Sequence, residues 1–359
     1  MPVETLKNLL RPVAHLIREF GVYATLLRAP GRRKTVVMFP SDVRQLSAML
    51  RGYDMDDFLE QWGWRVAVVP MQLGLSARKR ILRVFAPDLI YFQSSRHILN
   101  DPDHYPGEAL VYDIDDADFF DEKLTERIVR TCRGAVGVTA GSRFVANWCK
   151  QYNDDVTIVW TGTPPSQMTR PPHAERAPII TWAQSHPSGY PNEFRFVCGL
   201  MKDLRKRTDA PFSLRLYGWQ DGDDMAPIED LRASGVEVEL STFMSYDAYI
   251  PSLTDAAIGL CPLDTESEFS NGKSFGKILG YLDAKVPVIA SDMADHSLFF
   301  TDDFGVISDD RALWLDTILR LLEDPELRQD MADRAYAEFS AHLTDQAAAK
   351  KLDTCFNRL

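Results

Sequence analysis

From residue 35 onward, short apolar runs alternate with stretches of helical periodicity, and this alternation is the main signal in the chain. TVVMFP (35–40), RVAVVP (65–70), DLIYFQ (88–93), ALVYDI (109–114), AVGVT (135–139) and VTIVWT (156–161) have the near-continuous apolar character of strands buried on both faces of a parallel sheet. Helical patterns separate most of them, which predicts a doubly wound α/β domain over 35–165. A second series follows, with IITWA (179–183), SLRLY (213–217), VEVEL (236–240), 257–260 and 288–290, and predicts another such domain over 179–343. Between the two, TPPSQMTRPPHAERAP is rich in proline and has no period, so 166–178 reads as a linker. Ahead of both, Leu6, Leu9, Leu10, Val13, Leu16, Ile17 and Phe20 predict an amphipathic helix over 4–20, with Lys7, Arg11 and Arg18 off the apolar stripe and Gly21 as its stop. Helices over 311–322 and 325–339 close the second domain, and 344–359 forms a last segment.

The stretch 257–292 reads strand, loop, helix, strand. Phe275, Ile278, Leu279 and Leu282 fall at i, i+3, i+4, i+7 and form the apolar stripe of its helix, leaving Lys273, Lys277, Gly280 and Ala284 to share the other face. Two cations at i, i+4 repel, and in the first turns they also oppose the helix macrodipole. The arrangement makes sense if an anion docks on the helix N-terminus, with Asn271-Gly272 allowing its close approach. The plainer alternative is two solvated surface lysines.

A second cluster is acidic. Tyr112-Asp113-Ile114-Asp115-Asp116 closes the fourth strand, and three carboxylates in four residues raise one another's pKa unless a cation or donor is near. Capping of the next helix by Asp115 or Asp116 is the plainer reading here. No G-x-G-x-x-G follows any strand, so a nicotinamide or flavin fingerprint is absent. His186 and Ser188 follow the 179–183 strand, and Gly218, at the end of LRLYG, permits close backbone approach.

Composition narrows the partners. A net charge of −12 argues against nucleic acid. Residues 1–34 run the other way, with seven cations against Glu4 and Glu19, a local +5 suited to an anionic membrane surface. A helix that packs on its own domain is the alternative. Five cysteines without C-x-x-C spacing argue against a zinc site and a disulfide framework and point to a reducing cytoplasm. No apolar run reaches the length of a membrane span.

The pattern N-x-K-S-x-x-K-x-x-x-Y at 271–281, followed by VPVIAS, resembles the donor-binding segment of retaining GT-B glycosyltransferases, the glycosyltransferase family 4-like or group 1 enzymes. The resemblance implies two Rossmann-like domains facing across a cleft, with the C-terminal segment 344–359 crossing back to the first. It implies a nucleotide-diphosphate sugar as co-substrate and no other cofactor, with the diphosphate held by Asn271, Gly272, Lys273, Ser274 and Lys277; no metal is needed if the two lysines neutralise the leaving group. The WAQSHPS loop with His186, and Gly218, would lie near the donor phosphates. Asp113, Asp115 and Asp116 are the catalytic candidates, with Asp113 at the strand terminus facing the cleft where the acceptor sits. The acceptor class is a glycan, a lipid-linked sugar or a protein. The family's two glutamates, eight positions apart, align with Gly272 and Gly280, and neither position is acidic here. Two other readings stand beside this one. LVYDIDDAD also resembles the first motif of haloacid-dehalogenase phosphatases, and a GT-B chain can serve as a catalytically silent subunit that binds a sugar nucleotide or a partner enzyme.

Overall fold

Both apolar series form six-stranded parallel sheets. The computed structural model describes residues 3–28, 34–42, 48–93, 96–301 and 304–359, with the side chains of 3–12, 28 and 277 outside that description. The chain divides into two units, the first made of residues 1–163, 272–274 and 344–359, the second of 164–271 and 275–343.

In the first unit, β1 (Thr35–Phe39), β2 (Arg65–Val68), β3 (Leu89–Gln93), β4 (Leu110–Ile114), β5 (Gly137–Ala140) and β6 (Val156–Ile158) lie in the order β2-β1-β3-β4-β5-β6. The sheet is flanked by α1 (Val3–Arg28), a π-helical turn (Met49–Tyr53), α2 (Asp56–Gln61), α3 (Leu75–Phe85), α4 (Glu122–Gly134) and α5 (Arg143–Cys149). Its interior side chains include Val36, Met38, Tyr91 and Val111, the alternate inward positions of β1, β3 and β4.

The first helix departs from expectation. It does not stop at Gly21 but runs to Arg28, because Val22 and Tyr23, just past the glycine, dock on the unit and reward continuation. Gly21 faces open space, so nothing there needs its missing side chain.

The second unit contains β7 (Ile179–Ala183), β8 (Ser213–Trp219), β9 (Glu237–Thr242), β10 (Ile258–Cys261), β11 (Val288–Ala290) and β12 (Val306–Ile307), in the order β12-β11-β10-β7-β8-β9. Its helices are α6 (Pro191–Arg207), α7 (Ala226–Ala233), α8 (Tyr246–Ser252), α9 (Glu268–Asn271), α10 (Gly276–Asp283), α11 (His296–Phe299), α12 (Arg311–Glu323) and α13 (Pro325–His342). The strand order reverses between β7 and β10. In a doubly wound sheet the crevice outside the carboxyl ends of those two strands is the ligand position.

The last helix, α14 (Asp345–Arg358), belongs to the first unit. The Trp64 indole N–H donates to Asp353 Oδ1 at 3.0 Å, and the Phe356 ring stands edge-on to Trp64 and Tyr91 at 5.5 and 5.8 Å.

The proline-rich stretch is not a loose connector. From Pro164 onward it is part of the second unit. Arg176 donates to Ala284 O at 3.2 Å and Lys285 O at 2.9 Å, satisfying carbonyls that α10 leaves open at its C-terminus. Arg170 pairs with the fully buried Asp283 at 2.9 Å, and buried His173 reaches Lys285 O at 2.9 Å. Periodicity could not reveal this, because the segment is held by long polar side chains rather than by an apolar face.

Candidate functional site

In the first unit the acidic run at the end of β4 divides by burial. Asp113 is fully buried, and its carboxylate accepts from Arg51 Nε at 3.0 Å, Arg51 Nη2 at 2.5 Å and Thr139 Oγ1 at 2.7 Å. Arg51 comes from the π-helical turn, is itself 2% exposed, and donates its remaining nitrogen to Val159 O and Thr161 Oγ1. The expectation that Asp113 faces outward is therefore corrected. Its carboxylate turns inward because a buried guanidinium offers a bidentate partner there, and a carboxylate so engaged is not a phosphatase nucleophile.

Asp115 lies one step nearer the surface. Its Oδ1 accepts from Thr161 Oγ1 at 3.0 Å and lies 3.6 Å from Arg51 Nη1. Gly141, at the end of β5, makes room for it, since a Cβ there would come within 2.5 Å of Asp115 Oδ1. Burial raises the Asp115 pKa; the Arg51 charge opposes that rise and the Asp113 charge adds to it. Asp116 is the most open of the three, with 31% of its side chain exposed, and Arg96 approaches it at 3.4 Å while binding Asp118 at both oxygens. Desolvation, followed by the Asp115 charge, pushes Asp116 up to about 7. Neither Asp115 nor Asp116 caps the next helix. That cap is Asp121, whose side chain accepts from Lys123 N.

A raised carboxyl pKa has a signed consequence. The folded protein holds a proton on Asp116 that the unfolded chain, with an aspartate pKa near 3.9, has already released. The contribution of Asp116 to stability therefore falls as pH rises from about 4 towards about 7. Asp116→Asn removes the titration, so its melting midpoint should gain on wild type across that window. Midpoints measured from pH 4 to pH 8 would show it, and a constant difference between the two proteins would refute it.

In the second unit α10 packs at the β7/β10 switch point. Tyr281 of α10 fills the space left by Gly259, accepts from Ala183 N at 2.9 Å and donates to Leu260 O at 3.3 Å. This places α10 against the carboxyl ends of β7 and β10. Phe275, Ile278, Leu279 and Leu282 are all buried, as the stripe predicts. The opposite face is not as predicted. Gly280 and Ala284 are buried too, and Lys273 precedes α10 in a non-helical turn, because α9 ends at Asn271 and the next helix starts only at Gly276. The two lysines therefore do not share one helix face, and the Lys277 side chain lies outside the described residues. Phe275 stands at the N-cap position and makes no side-chain cap, which leaves the first N–H groups of α10 without that acceptor. Gly272, Lys273 and Ser274 group with the first unit, where Gly272 lies against Ala117 and Ser274 Oγ is 3.5 Å from Asp115 Oδ2.

Beside α10, the loops after β7 and β8 meet. Gly218, at φ +86°, allows this, because a Cβ there would come within 2.1 Å of Gln184 O. His186 pairs with Asp223 Oδ1 at 2.8 Å, and the Gln220 N–H donates to Asp223 Oδ2 at 2.9 Å. Desolvation works against the Asp223 charge, but hydrogen bonds from His186, Gln220 N and Ser188 outweigh it and hold the carboxyl below its usual range. Asp223 and Arg51 are the partners that sequence reading missed. The glycine-bearing acidic turn QDGDD after β8 was a usable signal for Asp223; a lone arginine in 49–53 carried none for Arg51. Among the described residues, no three His, Cys, Asp or Glu side chains are grouped to hold a metal ion.

No protein-family model matches the chain, and no curated protein matches it. Solved structures do. Sucrose-phosphate synthase from Thermosynechococcus elongatus superposes with a TM-score of 0.66 at 12% identity, over 91% of this chain and 99% of that one. Anabaena HepE, solved with UDP and glucose, gives 0.66 at 14% over 91% and 100%. A glycosyltransferase from Rickettsia africae gives 0.67 at 12% over 91% and 99%. Two parallel six-stranded sheets, each with flanking helices and matched over nearly the whole length of these proteins, establish that the chain has the GT-B glycosyltransferase fold.

Proposed function

We propose that the chain is a glycosyltransferase that moves a sugar from a nucleotide-diphosphate sugar to a glycan, lipid-linked or protein acceptor with retention at the anomeric carbon. The observation that carries this reading is the N-terminus of α10, to which Phe275 supplies no side-chain cap and which Tyr281 holds at the β7/β10 switch point. Backbone N–H groups and the positive end of a helix dipole there suit a diphosphate, and Asn271, Gly272, Lys273, Ser274 and Lys277 precede or open that helix. Stabilising the departing diphosphate is the main catalytic task of such a transfer, and preoriented donors do it without reorganising. His186, oriented by Asp223, adds a polar group at the same end of the sheet. In this reading the second unit takes the donor and the first takes the acceptor. Asp116, titrating near neutrality, receives the acceptor hydroxyl's proton, while Asp113 and Arg51 fix the strand end and Asp115 beneath it. The nucleotide-diphosphate sugar is a co-substrate, and no metal takes part. The working location is the cytoplasmic face of an anionic membrane, with residues 1–34 as the contact.

A silent, nucleotide-binding subunit is the second reading. It is favoured by Gly280, which is buried against α8 with no acid at that position.

A thermal-shift screen over UDP, GDP, ADP, TDP and CMP tests the donor site. A bound nucleotide stabilises by roughly 2.7 kcal/mol at a hundredfold excess over Kd. One diphosphate should raise the midpoint in wild type and much less in Lys273→Ala. No response to any of them would sink both readings, and sugar turnover by the purified chain would remove the silent one.

A further inference from the structure

Among its described side chains, those of residues 13–27, helix α1 docks by one edge. Glu19 accepts from Arg80 of α3 at 2.9 and 2.6 Å, Val22 is 4% exposed, and Tyr23 stacks on Phe85 of α3 at 6.4 Å. The outer edge repeats at helical spacing and is bare. Val13, Leu16, Ile17, Phe20 and Leu27 are 53, 55, 66, 61 and 85% exposed. At 1.5 Å per residue this ridge runs for about 21 Å. Contiguous apolar surface of that kind marks an interaction site rather than ordinary scatter.

The surrounding charge narrows the occupant. Arg18 is exposed on α1. On α3, Arg83 and Val84 stand one turn beyond Arg80 on the same outward face and are exposed, as is Lys79. We propose that α1 and α3 together form one face that lies on an anionic lipid bilayer, with the apolar ridge in the acyl boundary and Arg18, Lys79 and Arg83 among the headgroup phosphates. A second copy of this chain would bring the same cations against these. A lipid surface supplies apolar depth and negative charge together, and it meets a straight ridge rather than filling a pocket. No helix among the described residues is long and apolar enough to cross a membrane, so the contact is interfacial. The inference rests on the membrane location proposed above and adds α3 as a second, charged contributor.

Sedimentation of the full chain with vesicles is the test, using phosphatidylcholine alone and phosphatidylcholine mixed with phosphatidylglycerol. Wild type should sediment with the mixed vesicles only, and less at high salt. Ile17→Asp/Phe20→Asp should lose binding, and Lys79→Glu/Arg83→Glu should bind roughly tenfold more weakly or worse. Melting midpoints and nucleotide-induced shifts of each variant report the fold and the donor site separately, so a failed donor site and a failed membrane face give different results. Wild type that stays in solution with mixed vesicles overturns the proposal. A dimer dispersed by Ile17→Asp/Phe20→Asp, seen by light scattering, would do the same and assign the ridge to a second copy. Unchanged binding by Lys79→Glu/Arg83→Glu would remove α3 from the face.

Discussion

Arg51→Met should cost the first unit about 3–5 kcal/mol, the range for breaking a buried ion pair by removing one partner. Methionine keeps the apolar stem of the arginine, so the loss is mainly that of the guanidinium. Asp113 would keep Thr139 as a donor but lose both guanidinium bonds, in a place with no access to water. Val159 O and Thr161 Oγ1 would lose a donor as well. Asp115 would lose the nearest positive charge and become still harder to ionise. The double variant Arg51→Met/Asp113→Asn should recover part of the stability, since a neutral amide is cheaper to bury than an unpaired carboxylate. Urea denaturation of the three proteins measures this. A single variant as stable as wild type, or a double variant no better than the single, would show that the pair is not the buried link described here.

Gly280→Glu should destabilise the second unit by about 2 kcal/mol or more, although it removes a glycine from a helix interior. The propensity gain is at most about 1 kcal/mol. Against it, a Cβ at 280 would stand 2.7 Å from Tyr249 Cε1 and 3.0 Å from Ile250 Cδ1, so α8 would have to move. Overpacking of that kind costs about 1–3 kcal/mol, and a carboxylate among Tyr249, Ile250 and Leu253 adds its own desolvation. The glycine thus serves α8–α10 packing and is not an open seat for an acid. Chemical denaturation decides it, because a variant as stable as wild type or more so would mean that α10 does not lie against α8 as described.

The strands were legible because each is a short apolar run, and every predicted run overlaps one. β12 was not, because Val306–Ile307 is too short for any period to register. The stripe of α10 was legible from four residues, whereas its boundary was not. Lys273 belongs to a helix only if the turn at Asn271-Gly272 continues straight through, and α9 ends there instead. At the acidic run, sequence showed that carboxylates crowd a strand end but not which of them turns inward. That depends on Arg51, 62 positions away from Asp113, and no local pattern encodes a pairing of that span. Gly21 misled because a stop signal is only a local preference, and docking of Val22 and Tyr23 against the unit outweighs it.

The arginines of the proline-rich stretch also decide where the chain can be divided. A polypeptide begun at residue 179, the start of β7, would look complete by its strands, yet it would lack Arg170 and Arg176. Asp283, fully buried, would then carry a charge with no counterion, and the carbonyls of Ala284 and Lys285 would face the interior without their donor. A second unit that keeps its α10 intact has to begin at Pro164, so the segment composed like a spacer is the N-terminal clasp of the unit it precedes.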